Sequence, residues 1–176
     1  MKTEIKKYLL VACALFLGGL FTGILGIAQD SSFIRTASPA FEFPIPAPFR
    51  LQKPQFNEIF RAVNPATRLP ITITVYPLKL RRSVESEYDF LRKRVMKTIM
   101  GTGICRELKP YQFEAIADFK GFPAYSFNFD CLLKGRPLTI KTNLLTITKE
   151  GKFISLFGMA FGNIDEIKRH FKQIIL

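Results

Sequence analysis

The chain has 176 residues, 48% of them hydrophobic, with 18 Phe, no Trp and a formal net charge of +12. That is enough apolar material for one packed domain plus a targeting segment, and it excludes a disordered or fibrous chain. The positive balance points to an anionic partner, whether nucleic acid, an anionic lipid surface or an acidic protein face.

Residues 1–28 read as an export segment. Lys2, Lys6 and Lys7 precede a run, Tyr8 to Ala28, that carries no charge. Its length suits a membrane-spanning helix. The glycines at 18, 19, 23 and 26 and the small-residue sequence Gly26-Ile27-Ala28 suit a cleaved signal peptide equally well. A third reading is a lipobox, Leu10-Val11-Ala12-Cys13, although the apolar run continues well past Cys13. In each case the lysines stay inside and the remainder is exported, to the periplasm or the outer face of the inner membrane. Export removes nucleic acid as a partner. It leaves an envelope protein or an anionic lipid surface, with membrane attachment if the segment is uncleaved. Losing the segment leaves a net charge of about +10.

Residues 29–39 read as a tether, and residues 40–176 as the single domain. Five prolines between Pro39 and Pro54 forbid a helix there. The alternation in Phe41-Glu42-Phe43 and Phe49-Arg50-Leu51 suggests a proline-marked edge strand. Gln55 to Val63 is ambiguous between helix and strand. Pro70 to Leu80 is a strand, with Ile71, Ile73 and Val75 alternating with Thr72, Thr74 and Tyr76. Ser83 then caps a helix that carries Glu85 and Glu87 in its first turn and ends at Gly101 and Gly103. Its inner stripe is Val84, Tyr88, Leu91, Val95 and Ile99. Cys105 to Phe119 reads as a connector followed by a strand.

Three consecutive strands follow, from Pro123 to Phe161. The first is read as half-buried, with Tyr125, Phe127, Phe129, Cys131 and Leu133 on its inner face. Leu138 to Thr148 is rich in β-branched residues, Lys149-Glu150-Gly151-Lys152 is a turn, and Phe153 to Phe161 closes the meander. Asn163 is expected to cap a last helix with Ile164, Ile167, Phe171, Ile174 and Ile175 facing inward.

No catalytic constellation is visible, and no metal or cofactor is expected. The one histidine, His170, sits among Lys168, Arg169 and Lys172 and reads as a solvated surface residue. No Cys/His spacing suggests zinc, and Gly101-Thr102-Gly103 ends a helix instead of opening one. Cys105 and Cys131 read either as a disulfide, in an oxidising compartment, or as two buried thiols. Basic residues cluster at Lys79/Arg81/Arg82, at Arg92/Lys93/Arg94/Lys97 and at Lys134/Arg136/Lys141. The second cluster lies off the helix's inner stripe and is the expected binding face.

The order of segments resembles a known family. From Phe41 to Leu176 it runs through an extended proline-marked strand, ITITVYP, a helix beginning SVESEYDFL, a hairpin around Gly121, a meander ending TITKEGKFISLFGMAF and a last helix ending HFKQIIL. This is similar to the PsbP-like superfamily, which includes the lumenal photosystem II accessory protein and DcrB-like bacterial envelope proteins. The resemblance implies an α+β fold, an α/β/α sandwich with a central antiparallel sheet, and a non-enzymatic accessory or binding role. It carries over no site residues. An alternative function is binding of a small apolar or lipid ligand in a Phe-lined cavity.

Overall fold

The computed structural model describes residues 33–55, 57–78 and 83–176. The export segment, Cys13 and the Lys79/Arg81/Arg82 cluster lie outside the described residues. Among those described, no helix is long and apolar enough to cross a membrane.

Among the described residues nine strands and two helices follow in order. They are β1 (Phe33–Ala37), β2 (Ala40–Pro44), β3 (Arg50–Leu51), β4 (Glu58–Val63), β5 (Pro70–Pro77), α1 (Val84–Gly101), β6 (Cys105–Phe119), β7 (Phe122–Leu133), β8 (Thr139–Lys149), β9 (Lys152–Phe161) and α2 (Asp165–Phe171). Seven strands form one antiparallel sheet in the order β3-β4-β5-β9-β8-β7-β6. Helix α1 packs on one face, through Tyr88, Leu91 and Ile99 against Phe127, Phe129, Ile140, Leu144 and Phe153. Helix α2 and the β1–β2 hairpin cover the other. The expected sandwich with a central antiparallel sheet is the fold.

Local chemistry sets the boundaries. Ser83 Oγ accepts from the Ser86 amide at 3.2 Å, which satisfies one of the free N–H groups at the start of α1. The β8–β9 turn places Glu150 and Gly151 at φ of 51° and 66°, the pair of left-handed residues that a two-residue hairpin needs. Asn163 Oδ1 accepts from the Asp165 amide at 2.8 Å at the start of α2.

Several expectations are corrected. The tether is not open chain throughout: Phe33–Ala37 pairs with Ala40–Pro44, and Ile34 is buried in the core, so the domain begins before residue 40. In the segment left open between helix and strand, residues 58–63 form a strand, because Phe60 and Ala62 alternate into the core opposite Ile73 and Ile71. Residues 105–119 make one long edge strand with no separate connector. Its three register shifts and Pro110 are tolerated because one side of an edge strand has no ladder partner. Strand β7 is buried on both faces, since Ala124, Ser126 and Asn128 lie beneath the second layer while Phe127, Phe129 and Cys131 lie beneath α1. Helix α2 stops at Phe171. Ile175 is therefore exposed, and it extends along β2, exchanging two 2.8 Å backbone hydrogen bonds with Glu42.

Candidate functional site

The outer surface of α1 carries the residues expected to bind, and the structure divides them. Asp89 is the hub. Its carboxylate pairs with Arg92 one turn on and with Lys93 at 2.6 Å. The Lys93 hydrogen bond first, and then the charge of Arg92, hold the Asp89 carboxyl below its ordinary range.

Arg92 does not point to open solvent, contrary to expectation. Its guanidinium lies 5.3 Å from the Phe127 ring centroid and 5.5 Å from that of Phe113, on the flank of α1 facing β6 and β7. Arg94 leaves the opposite flank and stacks over Tyr76 of β5, 5.5 Å from its centroid. Only Lys93 and Lys97 stand on the crest of the helix. The reason is helical spacing: a residue just off the buried stripe reaches the sheet along either flank if its side chain is as long as arginine.

The crest also carries apolar residues that sequence reasoning missed. Phe90 and Met100 are each 41% exposed, and Ile104, just past the helix, is 56% exposed. Positions 90, 93, 97 and 100 recur at helical spacing, so Phe90, Lys93, Lys97 and Met100 share one stripe. The spacing was legible in the sequence. The charges at 92–94 and 97 mask it, since they dominate the outer face of the helix in the sequence. Beside the crest a groove of about 520 Å³ runs between α1 and β5, with Thr72, Thr74 and Phe157 as floor and Arg94, Val95 and Ile99 as one wall.

Cys105 and Cys131 are joined as a disulfide, with their Cα atoms 5.5 Å apart and 26 positions apart in sequence. The bond ties the start of β6 to β7 beneath the end of α1, in the cluster that holds Ile99 and Phe129. The third basic cluster does not assemble. Lys141 pairs with Asp130 at 2.9 Å and lies over the Tyr111 ring, whereas Lys134 and Arg136 are exposed in the β7–β8 turn.

His170 is not a solvated residue. Its side chain is 15% exposed, it meets the Phe49 ring edge-on, and neither ring nitrogen has a hydrogen-bond partner. Burial lowers its pKa, while Glu166, 3.8 Å away, acts in the opposite direction. Phe43, Phe60, Phe129, Phe153 and Phe171 are fully buried core residues. Among the described residues, no group of three or more His, Cys, Asp or Glu side chains is placed to hold a metal ion.

No family model matches the chain, and no curated protein does. The fold matches the solution structure of cyanobacterial PsbP (CyanoP) from Synechocystis sp. PCC 6803 with a TM-score of 0.62, covering 88% of this chain and 98% of that one. The fold is PsbP-like. At 14% identity the likeness is one of backbone arrangement. The α1 crest, the disulfide and the half-buried His170 belong to this chain, on a PsbP-like frame.

Proposed function

We propose that this protein is a non-enzymatic, exported accessory module of the cell envelope that binds an acidic face of a partner protein through the crest of α1. The observation that carries this reading is the stripe Phe90, Lys93, Lys97, Met100, with Ile104 beyond it. Exposed apolar side chains interleaved with lysines suit a docking surface better than a merely solubilising one. The lysines steer encounter with negative charge, and the apolar groups supply contact area once water is expelled.

A protein partner is preferred to the lipid surface by placement. The described residues begin at β1, in the layer opposite α1. A domain held to a bilayer by its N-terminal segment would thus present α1 on the layer remote from that attachment. The groove beside Arg94 adds a seat for a side chain of the partner. Support for a non-enzymatic role comes from the PsbP-like frame and from His170, the only histidine, being sealed against Phe49.

The test is cross-linking in the native envelope, comparing wild type with a Lys93→Glu/Lys97→Glu variant at low and moderate salt. Arg92 is left alone because it is packed on aromatic rings. The expected result is a cross-linked protein that diminishes with charge reversal and with salt. Recovery unaffected by either change would overturn the assignment. So would tight binding to anionic lipid vesicles with no cross-linked protein.

A further inference from the structure

The groove between α1 and β5 changes character along its length, and the strand register fixes the order. Thr72, Thr74 and Tyr76 alternate onto the α1 face of the sheet. Phe153 lies beside Tyr76, Ser155 beside Thr74, and Phe157 beside Thr72, with Leu144 next to Phe157 in the same row. Arg94 stands over the Tyr76 ring, 5.5 Å from its centroid. Val95 and Ile99 pack in one cluster with Leu144 and Phe157. The cation is thus at the Tyr76 end and the apolar wall at the Thr72 end, four strand positions or roughly 13 Å apart.

Two polar groups of the groove have no hydrogen-bond partner among the described residues. Thr72 is 6% exposed and lines the floor, yet its hydroxyl is unpaired. A hydroxyl this buried weakens a fold unless something supplies its partner. The second group is the Arg94 guanidinium. Arg92 and Lys93 share Asp89, and Arg61 pairs with Glu58 at 3.0 Å, but among the described residues no carboxylate is within ion-pair distance of Arg94. Tyr76 carries one side of the guanidinium, and its N–H groups remain available. Glu58, opposite Thr74 in the β4–β5 ladder, does not compete for them. Arg61 and the Gln55 amide, at 3.0 and 2.8 Å, already engage its two oxygens.

We propose, on the reading of the α1 crest as a docking surface, that the acidic partner lays an extended segment in this groove. A carboxylate of the segment pairs with Arg94, a main-chain carbonyl accepts from the Thr72 hydroxyl, and an apolar side chain packs against Phe157, Val95 and Ile99. The spacing sets the motif. Side chains four positions apart on an extended chain point the same way and lie about 13 Å apart, the separation of the two ends. An acidic residue and a large apolar residue at positions one and five, in either chain direction, therefore reach both ends at once. The unpaired guanidinium selects the carboxylate, and the apolar wall supplies contact area.

The experiment is a calorimetric titration of the folded protein with a capped pentapeptide, glutamate first and leucine fifth with three serines between, and with the same peptide in reverse order. One of the two should bind one to one. Exchanging its glutamate for glutamine, or its leucine for serine, should weaken binding about tenfold in each case. Arg94→Gln should weaken the glutamate peptide about tenfold and leave the glutamine peptide unaffected, a difference that loss of folding would not produce. Thr72→Val should weaken both peptides, yet keep or raise the melting temperature, because it removes a buried hydroxyl that has no partner. Cross-linking in the native envelope separates the groove from the crest. A product that diminishes in Lys93→Glu/Lys97→Glu but not in Arg94→Gln/Thr72→Val overturns the groove assignment and leaves the crest standing, whereas a product diminished in both supports the two together. No saturable peptide binding up to about 1 mM, equal affinity for the glutamine peptide, or a dimer of the free protein that Arg94→Gln/Thr72→Val abolishes in sedimentation would each overturn the proposal.

Discussion

Gly158 and Ile167 touch where α2 crosses β9: a Cβ on Gly158 would stand 2.5 Å from Ile167 Cγ2 and 3.0 Å from Phe171 Cζ. The glycine is what lets α2 settle onto the sheet. Both neighbours are buried, and Ile167 is branched at Cβ, so neither yields cheaply.

Gly158→Ala should therefore destabilise the domain by about 1–3 kcal/mol through overpacking. Chemical denaturation of the purified domain checks this. An unchanged midpoint would mean that α2 can shift on the sheet. A second substitution, Ile167→Ala, should recover part of the loss in the Gly158→Ala background, because the two sites share one contact.

Arg92 and Lys97 should behave differently although they are five positions apart on one helix. Arg92→Ala removes a guanidinium from two rings and from Asp89, and should cost about 1 kcal/mol. Lys97→Ala on the exposed crest should stay within about 0.5 kcal/mol. Equal effects in thermal or urea unfolding would contradict the division between flank and crest.

His170 should make stability depend on pH in the range where carboxylates stay ionised. Its folded pKa is depressed by burial, so the unfolded chain binds the proton more readily. Its contribution vanishes above the unfolded pKa, near 6.5, where both states are neutral. As pH falls below that value the unfolded state is favoured progressively, until the folded imidazole also protonates. Melting temperatures between about pH 7.5 and pH 5.5 should fall in the wild type and flatten in His170→Phe, since the chain has no other histidine. A slope unaffected by the substitution would place the titration elsewhere.

The Cys105–Cys131 bond should contribute roughly 3–4 kcal/mol in the chain-entropy account of a loop of this length. Cys105→Ala/Cys131→Ala should lower the denaturation midpoint accordingly. Labelling the denatured, non-reduced wild type with a thiol reagent should leave both positions unmodified.

Much of the frame could be read from periodicity. The β7–β8–β9 meander, β5, the Ser83-capped helix and the Glu150-Gly151 turn follow from local rules: alternation for strands, a 3.6-residue stripe for helices, and left-handed residues for a tight hairpin. Those rules need no knowledge of what lies opposite. The order of these segments was also sufficient to suggest the PsbP-like arrangement.

The tertiary structure decided everything that depends on a distant neighbour. Phe33–Ala37 looks like a tether until Ala40–Pro44 pairs with it and buries Ile34. Ser126 and Asn128 look like the solvent face of β7 until the second layer covers them and they bond to Asn143 and Gln112. His170 is flanked by cations in sequence, yet it is turned against Phe49, more than a hundred residues earlier. Arg92 and Lys93 are adjacent in sequence, but the rings of Phe113 and Phe127 reach only one of them. Sequence spacing fixes which face of an element a residue occupies. Whether that face meets water, a ring or a carboxylate depends on packing between segments far apart in the chain, and the candidate sites are set by that packing.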